Sequence, residues 1–87
     1  MNQNNYLYNM NYGTIYHVRF FDEVDGKKDY YFGSLSAVFA FFTPEVLGVK
    51  IATVYKQKLG FEDEYRTKFC VIRKDKLIRK PKGNEMS

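Results

Sequence analysis

Apolar and polar positions alternate from Thr14 onward. In IYHVRFF, Tyr16, Val18 and Phe20 fall on one side and Ile15, His17, Arg19 and Phe21 on the other, the period of two that predicts a strand. DYYFG, a few residues on, reads as its partner, and EVDGKK between them holds Asp25-Gly26, a pair suited to the positive φ values of a tight hairpin turn. The period then lengthens. Leu35, Val38, Phe39 and Phe42 recur at helical spacing behind two N-cap candidates, Ser34 and Ser36.

Thr43-Pro44-Glu45 restarts the chain, because Pro44 disfavours continuing the first helix but suits the first position of a new one capped by Thr43. In the segment that follows, Leu47, Ile51, Val54, Tyr55 and Lys58 lie on one stripe, and Gly48 is the point where it splits into a short turn and a longer helix from Val49. After Gly60 the acidic FEDEY reads as a surface loop. Arg66 to Ile72 is rich in β-branched and aromatic residues, Lys74-Asp75-Lys76 is polar enough to turn, and Leu77-Ile78-Arg79 is able to pair back. The expected fold is α+β in the order ββααββ: an N-terminal β-hairpin, a short helix or helix pair, and a basic C-terminal β-hairpin, with one helical layer on one sheet. Domain organisation follows as an Asn/Tyr-rich disordered arm over 1–12, one domain over 13–80 and a frayed tail over 81–87.

With 87 residues the core is small. Eight Tyr and eight Phe with no Trp make aromatic rings its main material. A single cysteine, Cys70, forms no internal disulfide and points to a reducing, cytoplasmic setting. No apolar run is long enough for a membrane span, and the polar N-terminus lacks the features of a signal peptide.

Charge changes the picture more than composition does. The net charge is +4, yet residues 66 to 82 hold eight basic residues and one acid, whereas residues 1 to 65 hold six basic and eight acidic ones. Arg73, Lys74, Lys76, Arg79 and Lys80 therefore stand out as phosphate-binding candidates, since neutralising phosphates releases condensed counterions. Edge protection is the plainer reading, because lysines on an edge strand deter intermolecular pairing. Five clustered cations exceed what that purpose needs.

The string TPEVLGVKIATVYKQ, through Leu47, Gly48, Val49, Thr53, Val54 and Tyr55, resembles the helix-turn-helix of bacterial DNA-binding proteins. That resemblance implies a turn at Gly48, a following helix in the major groove, and DNA contacts from Lys50, Thr53, Lys56 and also Gln57. KFCVIRKDKLIRK behind it is similar to the wing of winged-helix and excisionase-like domains. Pro44 departs from that family pattern, so the first motif helix has to begin late and be very short. A kinked core helix, with Leu47, Ile51 and Val54 packed on the sheet, accounts for the same residues without DNA.

Other chemistry is sparse. Tyr16, Phe20, Tyr30 and Phe32 would suit a base-stacking platform, but a small core needs the same face. A nucleophilic pair of His17 and Cys70 would need a third, orienting group, and Cys70 reads more simply as a small buried residue. The acids Asp22, Glu23, Asp25, Asp29, Glu62, Asp63 and Glu64 lack calcium-loop spacing. The expectation is a non-enzymatic nucleic-acid-binding module with no catalytic residues, metal, cofactor or small-molecule ligand. The rival is a protein-interaction or homodimeric assembly domain using surplus aromatics.

Overall fold

A computed structural model describes residues 11–79. Four strands and three short helices follow in the order β1 (Asn11–Val24), β2 (Lys27–Phe32), α1 (Leu35–Phe41), α2 (Pro44–Leu47), α3 (Ile51–Gln57), β3 (Glu64–Arg66) and β4 (Cys70–Arg79). They form an antiparallel sheet in the order β2-β1-β4-β3 with the helices on one face, the α+β arrangement expected from the periodicity. The arm and tail assigned to 1–12 and 81–87 lie outside the described residues, except that β1 already includes Asn11 and Tyr12.

Local signals act where the sequence places them. Asp25 and Gly26 take φ of 52° and 87°, joining β1 to β2 through a turn with both central residues in positive φ. The Ser34 hydroxyl accepts from the Ala37 N–H to open α1, and Thr43 does the same for Val46 at the start of α2, where Pro44 occupies the first turn. Gly48, at φ 83°, ends α2 after four residues and donates its N–H to the Pro44 carbonyl. The next helix starts at Ile51, two residues later than the stripe alone indicates.

One turn moves. Lys74-Asp75-Lys76 does not bend the chain, because β1 is fourteen residues long and pairs with β4 without a break from Asn11↔Arg79 to Phe20↔Cys70. The C-terminal hairpin is formed instead by β3 and β4, closed by Thr67-Lys68-Phe69, with Thr67 N–H donating to the Cys70 carbonyl. β4 is consequently an interior strand where β3 flanks it, not an edge. Edge protection therefore does not account for Arg73, the one cation in that flanked stretch, whereas Lys76 and Arg79 lie beyond it.

The core sits between helices and sheet: Val18, Phe20, Tyr30, Leu35, Val38, Phe42, Leu47, Val54, Cys70 and Ile72. Phe20, Tyr30 and Phe42 meet edge to face, with ring centroids 4.9–5.9 Å apart. Phe20 and Tyr30 are thereby committed to packing. They do not form an exposed stacking platform, and Phe32 joins the same aromatic cluster.

Candidate nucleic-acid interface

Pleating sorts the basic residues of β4 onto two surfaces. Cys70 and Ile72 face the helices, so Lys74, Lys76 and Ile78 follow them by alternation, while Val71, Arg73, Asp75 and Leu77 face the other way. Cations adjacent in sequence thus belong to different environments.

On the helix-free face, charges are matched. Arg73 Nε lies 3.1 Å from Asp75 Oδ2 and its Nη1 3.5 Å from Glu64 Oε1, contacts that hold the guanidinium pKa above its ordinary value, Asp75 contributing most. Beside it, Asp29 accepts from His17 Nε2 at 2.7 Å and from Arg19 at 2.9 Å, and this pairing, the His17 hydrogen bond above all, lowers the Asp29 carboxyl below its usual range. The His17 ring stacks on Tyr31 at 4.8 Å. A shallow depression between these groups is lined by His17, Arg19, Glu64, Val71 and Arg73. Its arginines already have carboxylate partners, so Arg73 has little attraction left for a phosphate.

On the helix-side face the two lysines of β4 meet an aromatic ring. Lys74 and Lys76 place their ammonium groups 5.1 and 5.5 Å from the centroid of Phe61, a ring 45% exposed in the loop after α3. That loop is pinned to β4, since Glu62 N–H donates to the Lys74 carbonyl at 2.6 Å and Lys74 N–H to the Asp63 carbonyl at 3.0 Å. Lys74 pairs in register with Tyr16. Burial and the nearby phenol of Tyr55 push the Tyr16 hydroxyl pKa up, and the chain leaving α3 at Gln57 reaches the Lys74 carbonyl by Glu62, which places the last turn of α3 at the same end of the sheet. Lys56 is next to Tyr55 in that turn, and both are exposed.

Lys50 belongs elsewhere. It precedes α3 at the opposite end, close to Gly48, whose Cα region meets Phe69 and Thr67 of the β3–β4 turn. Cys70 and Lys76 are six residues apart on one strand, about 20 Å. Of the residues singled out in the sequence, the fold gathers Lys74 and Lys76 around Phe61, and Lys56 stands on the last turn of α3. It leaves Lys50 at the far end, Thr53 half-buried and Arg73 on the other face. Arg79 is placed by register alone, opposite Asn11, and Lys80 lies outside the described residues.

Two contributors escaped the sequence reading. Phe61 looked like part of an acidic loop, and Tyr55 looked like a buried stripe residue but is 54% exposed. The juxtaposition of Gly60 and an aromatic residue was the available signal for the first. Cys70 is buried, its thiol pushed up by desolvation and donating to the Leu47 carbonyl at 3.4 Å, and it is far in register from His17, which pairs with Arg73. Among the described residues no group of three or more His, Cys, Asp or Glu side chains is arranged to hold a metal, and no helix is long and apolar enough to cross a membrane. Comparison with protein-family models, curated proteins and solved structures gives no match, so neither the winged helix-turn-helix resemblance nor any other family assignment gains support from relatives.

Proposed function

We propose that this chain is a small non-enzymatic module of the cytoplasm that binds nucleic acid through the helix-side surface of β4. The observation that supports this reading is the grouping of Lys74 and Lys76 around the exposed Phe61, with Lys56 at the same end of the sheet. Lysines held on a strand present point charges to phosphates without first having to be ordered, and a neighbouring aromatic ring gives a base or sugar an apolar surface. The arginine that would compete for the same role, Arg73, is engaged by Asp75 and Glu64.

Titrating labelled DNA and RNA with the protein at two salt concentrations tests the reading. Salt-sensitive binding at micromolar protein is expected, because each neutralised phosphate releases counterions. Absence of such binding to any of the nucleic acids removes it.

A second reading has its own support. Phe21, Val46 and Phe69 are each partly exposed around a shallow depression at the turn end, a surface that suits a protein partner. Sedimentation separates the two: a self-associating species abolished by Phe69→Ser, with no nucleic-acid binding, would favour assembly.

A further inference from the structure

The outer half of the β1–β4 pair has an architecture the rest of the sheet lacks. β2 pairs with Tyr16 to Arg19 and Val24 of β1, and β3 with Val71 to Arg73 of β4. Beyond Tyr16 and Lys74, no third strand flanks either partner among the described residues. Asn11 to Ile15 and Asp75 to Arg79 therefore form a two-stranded ribbon of five pairs, about 17 Å long. No residue of the buried core lies in it. The longest dimension of the molecule, 45 Å against 28 and 19 Å, matches fourteen residues of β1 at about 3.3 Å each.

The side chains along this ribbon are unusual for a solvated hairpin. Gly13 stands opposite Leu77 and offers it no cross-strand cover, and Leu77 and Ile78 are 41% and 63% exposed. Both are apolar, and they point to opposite faces. Asp75 is the only acid on β4 and is held by Arg73, while from Lys76 to Lys82 the sequence holds four basic residues and no acid. A narrow, cationic, apolar-sided ribbon has few partners that fit it.

Resting on the nucleic-acid reading above, we infer that this ribbon is the element that enters the major groove of duplex B-DNA, with Lys76 on a flanking phosphate and Ile78, on the same face of the strand, against base edges. The groove is about 12 Å wide and admits a two-stranded ribbon, and its thymine methyl groups offer contacts for aliphatic side chains. The same groove in A-form RNA is too narrow and deep for side chains to read. An unpaired strand would instead be held by a series of stacked aromatic residues, and the ribbon has a single aromatic position, Tyr12, in register with Ile78. The helix-turn-helix resemblance put α3 in the groove. Here α3 contributes at most Lys56, a phosphate contact beside the root of the ribbon.

The test is fluorescence anisotropy with a short mixed-sequence DNA duplex, the RNA duplex of the same sequence and the corresponding single strand, each at two salt concentrations, for the wild type, Ile78→Glu and Lys56→Gln. Ile78 is exposed and outside the core, so its substitution leaves the fold intact, a point that circular dichroism and melting establish in parallel. The DNA duplex is expected to bind on the order of tenfold tighter than either RNA duplex or single strand, and Ile78→Glu to weaken that binding by on the order of tenfold, with Lys56→Gln weakening it less. Equal affinity for the three ligands, or an Ile78→Glu protein that binds DNA like wild type, overturns the ribbon inference while leaving the nucleic-acid reading standing. Binding to none of them removes both. An Ile78→Glu protein that loses self-association with DNA binding unchanged would make the ribbon an assembly arm and likewise overturn the inference.

Discussion

Replacing Thr67 by Val removes one hydroxyl and almost nothing else, and its cost measures how the helical corner is tied to the sheet. Thr67 Oγ1 donates to the Leu47 carbonyl at 2.7 Å and accepts from the Phe69 and Cys70 N–H groups, both at 3.0 Å. Leu47 is the last residue of α2 and is fully buried, so this hydroxyl connects the α2–α3 corner to the β3–β4 turn. After the substitution the Leu47 carbonyl keeps the Cys70 thiol, a weak donor, and the Phe69 N–H can turn to water. The Cys70 N–H cannot. One lost hydrogen bond at about 1 kcal/mol and one stranded buried donor at about 2 kcal/mol sum to about 3 kcal/mol. In a domain of this size that lowers Tm by roughly 12–24 °C.

Thr67→Ser keeps the hydroxyl and should cost less than about 1 kcal/mol, the loss of one methyl. Urea unfolding followed by circular dichroism, with linear extrapolation, measures all three proteins. A Val variant within about 0.5 kcal/mol of wild type, or a Ser variant as unstable as the Val one, would show that the methyl packing, not the hydroxyl, matters at this position.

Three further outcomes follow from the same contacts. Gly48→Ala should cost about 1–2 kcal/mol from the left-handed backbone alone, and the new Cβ, 2.9 Å from Phe69 Cδ2, should shift that ring, visible as a change in its NMR shifts. Because the Asp29 carboxyl is lowered below its ordinary 3.8, chiefly by His17, the stability it contributes is complete above that value and is lost as pH falls through the folded value; Asp29→Asn should flatten the stability curve below about pH 4. Cys70, fully buried with its thiol pushed up, should resist alkylation in the folded protein and react at the rate of unfolding, so reaction at the speed of a free thiol would contradict its burial.

The elements readable from sequence are those whose residues leave the backbone little choice. Asp25-Gly26, Ser34, Thr43-Pro44 and Gly48 each act within a few residues of themselves, and each sits where its chemistry requires. The misplaced turn has a different origin. Lys74-Asp75-Lys76 is polar although it lies within β4, where Lys74 and Asp75 are half-buried and Lys76 is exposed, and polarity alone does not separate a turn from a strand whose side chains meet charged and aromatic partners. The true turn was marked by Thr67, whose side chain accepts from the N–H groups two and three residues on, a local motif hidden inside an apolar, strand-like run.

Reading β4 as one continuous strand would have separated Arg73 from Lys74 and Lys76 by parity. What parity cannot supply is the partner of each charge. That Arg73 meets Glu64 depends on β3 pairing with β4, and that Phe61 covers Lys74 depends on the loop after α3 folding back onto the strand. Both are contacts made by the tertiary structure, and the family resemblance, which drew attention to Lys50 and Thr53, pointed away from them.

The most direct test compares neighbours on one strand. Lys74→Gln, Lys76→Gln and Arg73→Gln are each titrated with duplex DNA across a range of salt, and the slope of log Kobs against log salt is measured. If phosphates bind the helix-side face, each lysine variant lowers the magnitude of that slope by about 0.9 and Arg73→Gln leaves it at the wild-type value. An Arg73→Gln slope reduced as much as those of the lysine variants, or lysine variants with an unchanged slope, would contradict the division of charge between the two faces of β4.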